Sequence, residues 1–278
     1  MSFEFEYESH PLLQIKNLTH RFGGVIAVNE CSFSVRQGQL FSIIGPNGAG
    51  KSTLFNCICG IYRPTTGTIE LAGHSITGQK PHHIAALGIA RTFQNIELFS
   101  HMTTMQNLML GRHLYMRSGL MRCAAAFWRR ARAMQEEIAH RERVEQIIDL
   151  LDLQSARDHM VSALPYGRQK LVELGRALAL EPKLLLLDEP AAGMTSEERQ
   201  DLRFWLGDIK EELGVTIVMI EHNMQMVMDI SDRILAMDFG RTIIEGSAQE
   251  VANHPQVIEA YLGEQQKQPA TASEPEQR

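Results

Sequence analysis

The chain alternates short apolar runs with longer helical periods. Between residues 11 and 45, "LLQIKNLTHRF", "CSFSVRQG" and "LFSIIG" are rich in strand-forming residues bounded by turn residues, and they predict three strands. A helix is predicted from about Gly50 to before Pro64. "GTIELAG" predicts a further strand, and "GIARTFQN" a strand entering a loop at Gln94. "LLLLD", ending at Asp188, and "VTIVMI", ending at Ile220, are apolar almost throughout, as strands covered on both faces are. Between them, "TSEERQDLRFWLGDIKEELG" is an amphipathic helix with Leu202, Trp205, Leu206, Ile209 and Leu213 on one stripe. Thr195 and Glu198 form its capping box and Gly214 ends it. "RILAMD" and "TIIEG" predict a hairpin-like pair, and "HPQVIEAYLGE" a short closing helix. Strands alternating with helices imply a mostly parallel sheet, with ligands at the carboxyl ends of its strands.

The middle differs. Residues 103–160 are helix-forming and contain no proline. Arg112 to Arg143 holds eight Arg and no Lys against three Glu, a local excess of five positive charges. A solvated helical face is the expected role, and proximity of this insert, with Arg129 and Arg130, to an anionic membrane surface or a membrane partner the sharper one. The 278 residues suit roughly one large domain or two small ones, and 44% hydrophobic residues allow a sizeable core. A net charge of −6 speaks against a nucleic-acid partner. Cys31, Cys57, Cys59 and Cys123 form no CxxC pair or zinc spacing and are expected to be reduced and buried. The N-terminus "MSFEFEYESH" lacks the apolar stretch of a signal peptide, and no apolar run approaches the ~18 residues of a membrane span. A soluble chain is expected, with any membrane role reached through a partner.

"GPNGAGKST" carries the first strong chemistry. It matches G-x-x-x-x-G-K-[ST], follows the strand "LFSII" and opens a helix. In the loop Gly45, Pro46, Asn47, Gly48, Ala49 and Gly50, the glycines would let backbone N–H groups curl around phosphate oxygens. Lys51 supplies charge to the β- and γ-phosphates, Ser52 a hydroxyl for Mg²⁺, and Thr53 a contact towards the α-phosphate. Asp188, at a strand tip, suits the metal shell, and Glu189 is placed to orient and deprotonate an attacking water. Gln94 could join the metal shell, whereas His222 on its own reads as a helix-start histidine.

A second helix start poses a question. In "SALPYGRQKLVELGRALALEPKLLLLDEP", Pro165 and Gly167 precede the periodic Leu171, Leu174 and Leu178. Helix N-termini attract anions, so one chain holds two phosphate-seeking helix starts.

Taken together, these motifs resemble the ATP-binding subunits of ABC transporters over residues 11–263. The resemblance implies an α/β fold: a P-loop NTPase, RecA-like core with an antiparallel β subdomain (about 11–95 and 180–263) and an α-helical subdomain insert (about 96–179). Residues 264–278 are expected to be a disordered tail. It assigns Gln94 to the Q-loop, Glu189 to catalysis, His222 to the γ-phosphate switch, and Ser52, Gln94 and Asp188 to Mg²⁺. Phe22 would stack on adenine with Val28 beside it. Leu164, Pro165, Tyr166, Gly167 and Arg168 align with the LSGGQ signature, which caps the ATP of a second subunit in a head-to-tail dimer. Pro165 departs from the family serine and lacks an N–H, and Thr195 stands where the D-loop usually has Asp or Asn.

"RTFQNIELFSHMTTMQNLMLGRH", "DEPAAGM" and "VIEAYLGE" resemble the branched-chain amino-acid import group. That likeness implies an ATPase peripheral to the cytoplasmic face of the inner membrane. Its partners would be permease subunits, an identical or paralogous ATPase and, indirectly, an external binding protein. Importers of urea, amides and aromatic acids share these features. The alternatives are a lipopolysaccharide or lipid export ATPase and a soluble non-transport ABC ATPase. A GTPase would show an N-K-x-D-type motif, which is lacking.

Overall fold

The computed structural model describes residues 11–115 and 126–265. In chain order they form β1 (Leu13–Phe22), β2 (Val25–Val35), β3 (Leu40–Ile44), α1 (Lys51–Ile58), β4 (Thr66–Leu71), β5 (His74–Ser75), α2 (Pro81–Ala86) and β6 (Ile89–Arg91). Three helices follow: α3 (Thr104–Gly111), α4 (Ala126–Leu150) and α5 (Tyr166–Leu178). The remainder is β7 (Leu184–Asp188), α6 (Ser196–Glu211), β8 (Thr216–Ile220), α7 (Met224–Ile230), β9 (Arg233–Asp238), β10 (Arg241–Gly246), α8 (Ala248–Ala252) and α9 (Pro255–Gln265).

Six strands form a sheet in the order β10-β9-β3-β8-β7-β6, parallel except for the β9–β10 hairpin. The other four form an antiparallel sheet, β2-β1-β4-β5. Period-2 alternation sorts the apolar runs into two cores. Leu184, Leu186, Val218 and Ile220 join a core with the antiparallel sheet and with Leu54, Phe55 and Ile58 of α1. Leu185, Leu187, Ile217 and Met219 face the other core, built with Leu108, Ile148, Leu171, Leu174 and Leu206 of the helices. Each such fully buried side chain contributes about 1.5–3 kcal/mol.

The Thr195–Glu198 capping box opens α6, and Gly214 turns the chain at φ 63°. Leu202, Leu206 and Ile209 are buried, and Trp205 is partly buried against the same core. Leu213 departs from the expected stripe and is 48% exposed, because α6 ends at Glu211 and the approach to Gly214 turns it outward. The closing helix runs through Glu264 and Gln265, so the expected tail begins as helix; residues 266–278 lie outside the described ones.

The arginine-rich run is not wholly a solvated face. Arg112 is buried, donating from Nε to His140 Nδ1 (3.2 Å) and from Nη1 to the Ala179 carbonyl (2.9 Å), with Glu181 at 3.2 Å. Arg141 pairs with Glu137 and Arg143 with Glu181. Arg117, Arg122, Arg129, Arg130 and Arg132 lie outside the residues whose side chains are described, and with them the expected membrane contact. Among the described residues no helix is long and apolar enough to cross a membrane.

Cys31, Cys57 and Cys59 are free thiols buried in the first core; Cys123 lies outside the described residues. Burial pushes the Cys31 thiol up to about 11 and Cys57 to about 12, and raises Cys59 as well. The unfolded chain releases these protons near pH 9 while the folded chain keeps them, so this contribution to stability falls as pH rises above 9. In a Cys123→Ser background, an aromatic disulfide reagent at pH 8 should label no thiol until the chain is unfolded. Replacing Cys31 and Cys57 by Ala should make the loss of stability between pH 9 and 11 shallower, as read by urea titration.

Candidate active site

The buried strand β3 delivers the chain to Gly45 at φ 150°, and Gly48 and Gly50 follow at φ 84° and 95°. A Cβ on Gly45 would lie 2.2 Å from the Met237 carbonyl oxygen, and one on Gly50 2.2 Å from that of Ala27. Both positions therefore require glycine for close backbone approach as well as for φ. The β9–β10 turn braces the loop, since the Gly240 N–H donates to the Ala49 carbonyl at 3.1 Å. Ala49 is buried, Pro46 half-buried, and Asn47 exposed at the rim. Lys51 is buried, and its ammonium donates to the carbonyls of Gly45 (2.7 Å) and Pro46 (3.0 Å), which holds it over the loop. Helix α1 starts here with no acidic residue in its first turn, leaving its positive end for an anion. Ser52 is exposed and Thr53 half-buried beside it.

β7 ends in Asp188, the carboxylate predicted for the metal shell. Asp188 is 4% exposed, and its Oδ2 accepts from Arg91 Nη2 at 2.7 Å. Arg91 also donates from Nη1 to Asn56 of α1 (2.6 Å) and lies 5.2 Å from the Phe93 ring centre. Asp188 Oδ1 is buried and accepts no hydrogen bond among the described residues. An orphaned carboxylate oxygen at a strand tip fits a divalent cation.

Three predicted catalytic residues meet. Gln94 Nε2 donates to Glu189 Oε2 at 3.0 Å, and His222 Nε2 lies 3.1 Å from Glu189 Oε1. They come from the carboxyl ends of three adjacent strands, β6, β7 and β8. Glu189 adopts φ 50°, an unusual conformation for a side-chain-bearing residue, and its N–H donates to the Ile220 carbonyl at 2.9 Å. Such local strain, held by flanking hydrogen bonds, is typical of functional positions. A carboxylate gripped from two sides keeps lone pairs for a water molecule.

The second helix start sits elsewhere. Pro165 is the N-cap of α5 and supplies no side-chain cap. Tyr166 is 46% exposed and approaches Gly193, and Gly167 lies under the Glu198 carboxylate, where a Cβ would stand 2.1 Å from Oε1. Leu164 is half-buried against the helical core. Arg168 is turned onto Asp152, donating to its carbonyl at 2.6 Å with the carboxylate at 3.7 Å. Its charge is therefore engaged within the helical segment and is not aimed at a bound anion.

Phe22 is 47% exposed and meets His20 and Tyr62 edge-on, at 4.6 and 5.2 Å between ring centres. Val28 does not stand beside it as expected. It is fully buried in the first core, because the alternation of β2 turns it inward, and exposed Val25 and Ile26 pair with Phe22 and Arg21 across the hairpin.

Several site residues escaped sequence reading. Glu221 is buried, accepting from Ala191 N (2.8 Å), His222 N (2.9 Å) and Asn223 N (3.1 Å), so one carboxylate ties together the loops after β7 and β8. Its signal was an acidic residue directly after an apolar strand. Lys170, Glu173 and Arg176, at i, i+3 and i+6 on α5, grip the Gln94 loop by its backbone. Lys170 donates to the Gln94 carbonyl (2.9 Å), Glu173 accepts from the Phe93 N–H (3.3 Å), and Arg176 donates to the Glu97 carbonyl (2.5 Å). Burial raises the Glu173 carboxyl above its ordinary range and lowers the Arg176 guanidinium.

The family model described as ABC transporter matches residues 28–192, and that described as branched-chain amino acid ATP-binding cassette transporter matches 241–266. The chain is similar to the high-affinity branched-chain amino acid transport ATP-binding protein BraF of Pseudomonas aeruginosa. The two are 40% identical over 260 residues, 92% of this chain and 99% of that one. LivG of Salmonella typhimurium, of the same description, is 39% identical over 256 residues, again 92% and 99%. The crystal structure of a nucleotide-free ATP-binding cassette from an ABC transporter superposes with a TM-score of 0.78 at 32% identity, covering 91% of this chain and 99% of that one.

Gly50→Ala should open the cradle, since its Cβ would collide with the Ala27 backbone at a left-handed φ. Nucleotide binding measured by calorimetry should drop at least tenfold, and binding equal to the parent would show that the loop is not the phosphate site.

Proposed function

The chain belongs to the ABC transporter family as an ATP-binding subunit of the branched-chain amino-acid importer type, and we propose that it energises uptake of branched-chain amino acids. It is an ATP-hydrolysing subunit. The observation that carries the mechanism is the Glu189 carboxylate, held by Gln94 and His222 at the tips of neighbouring strands. The loop from Gly45 to Thr53 binds the triphosphate by its N–H groups, and Lys51 moves its donors from the loop carbonyls to phosphate oxygens. Phe22 packs against adenine. Glu189 takes the proton of the attacking water, while His222 and Gln94 hold that carboxylate in place. Ser52, Asp188 and Gln94 would hold Mg²⁺, which when bound neutralises charge on the phosphate oxygens.

The helix start at Pro165–Arg168 serves the nucleotide of a second ATPase chain, identical or paralogous, in a head-to-tail pair. Closure and reopening of that pair drive permease subunits at the cytoplasmic face of the inner membrane, with an external binding protein supplying cargo. The relatives' descriptions support the cargo class, and the match at 241–266 supports the subfamily.

Glu189→Gln should bind ATP yet hydrolyse it about 10²–10⁴-fold more slowly. Near-normal turnover would remove Glu189 from catalysis. In a strain deleted for this gene, uptake of labelled leucine should fall while urea and aromatic-acid uptake persist; intact leucine uptake would reject the cargo. Pro165 contributes neither a hydroxyl nor an N–H to the neighbour's phosphate. Restoring serine should strengthen that cap by about 1.5 kcal/mol, roughly tenfold in the ATP concentration that closes the pair. Light scattering of Pro165→Ser in the Glu189→Gln background measures it, and an unchanged midpoint would mean that the cap does not need the hydroxyl.

A further inference from the structure

The phosphate loop is held from an unexpected side. Gly45 lies one residue beyond β3, whose ladder ends at Ile43 opposite Ile220 and at Ile44 opposite Ala236. Its N–H is therefore past the reach of the sheet, and the residue is buried. The acceptor comes from the end of the chain: the Tyr261 hydroxyl oxygen lies 2.9 Å from the Gly45 nitrogen. The carbonyl of the same glycine accepts from the Lys51 ammonium at 2.7 Å. Displacement towards β9 is closed off, because the Met237 carbonyl already fills the space of a Cβ. Helix α9 is docked by Val257, which is 3% exposed, and by the Tyr261 ring, both packed on the helical core. Packing thus places the hydroxyl before any ligand arrives.

We propose that Tyr261 is a positioning residue of the phosphate cradle: it holds the Gly45 N–H and with it the entry of the loop, so that α9 presets the loop for ATP. The inference rests on the ATP-binding reading and deepens it. Without the hydroxyl, a buried N–H loses its partner, and a glycine is free to rotate in search of another. Binding must then reverse that rearrangement, which weakens affinity by lost preorganisation. Glu189, Gln94 and His222 stand on other strands, so the rate at saturation is left alone.

The test is Tyr261→Phe in the full chain, which keeps the ring and its packing. In the Glu189→Gln background, calorimetric titration with ATP and Mg²⁺ should show Kd raised about 3- to 10-fold. In the hydrolysing chain KM should rise by the same factor with kcat within about twofold. Hydrogen exchange should quicken in peptides covering 40–50 and stay unchanged in those covering α9. An unaltered Kd, with or without a lower melting temperature, would make the hydroxyl a structural group only and overturn the proposal. A parent chain that fails to bind ATP would overturn the nucleotide reading and this inference together.

Discussion

The central strands β3, β7 and β8 are buried on both faces, and a backbone covered on both faces leaves polar chemistry only one exit, at the strand ends. The predicted phosphate loop, metal carboxylate and two of the predicted catalytic residues leave by that exit. Gly45 follows β3, Asp188 and Glu189 end β7, and His222 follows β8. The parallel register sets Asp188 opposite Ile220, so the residues after each strand emerge side by side. Had either β7 or β8 alone run antiparallel, Glu189 and His222 would lie at opposite ends of the sheet.

Convergence alone does not hold charged groups in a fixed geometry. The structure adds a layer of polar residues that bond backbone or catalytic groups. Glu221 collects three N–H groups from two loops, Arg91 joins Asp188 to Asn56, and α5 grips the Gln94 loop with three ionisable side chains. The last contact links the helix starting at Pro165 to the amide that touches Glu189. If that helix start meets a neighbour's nucleotide, the same rigid element reports the encounter to the hydrolytic carboxylate. Two phosphate-seeking helix starts in one chain then have distinct tasks, one for its own triphosphate and one for its partner's.

The departures from sequence expectation have two causes, strand pleat and distant polar partners. Val28 was expected at the adenine face, but the pleat of β2 sends it into the core. Arg168 was available in principle to a phosphate, but Asp152, sixteen residues earlier, takes its guanidinium. Arg112 belonged to an apparently solvated run, and the Ala179 carbonyl and His140 draw it inside. For both arginines the deciding partner is remote in sequence, so local pattern carries no trace of it.

What the sequence determined by itself is what depends on neighbours along the chain. Glycine spacing at 45, 48 and 50 dictates a loop of positive φ, apolar runs dictate doubly buried strands, and Thr195 with Glu198 dictates where α6 starts. These rest on dihedral sterics, solvent exclusion and hydrogen bonds three residues apart. Only the tertiary structure decided that Gln94 and His222 share one carboxylate, that Arg91 takes half of Asp188, and that a tyrosine 216 residues downstream completes the phosphate loop. Those contacts exist because packing brings polar groups distant in sequence within 3.1 Å of one another, and no pattern of adjacent residues encodes such a distance.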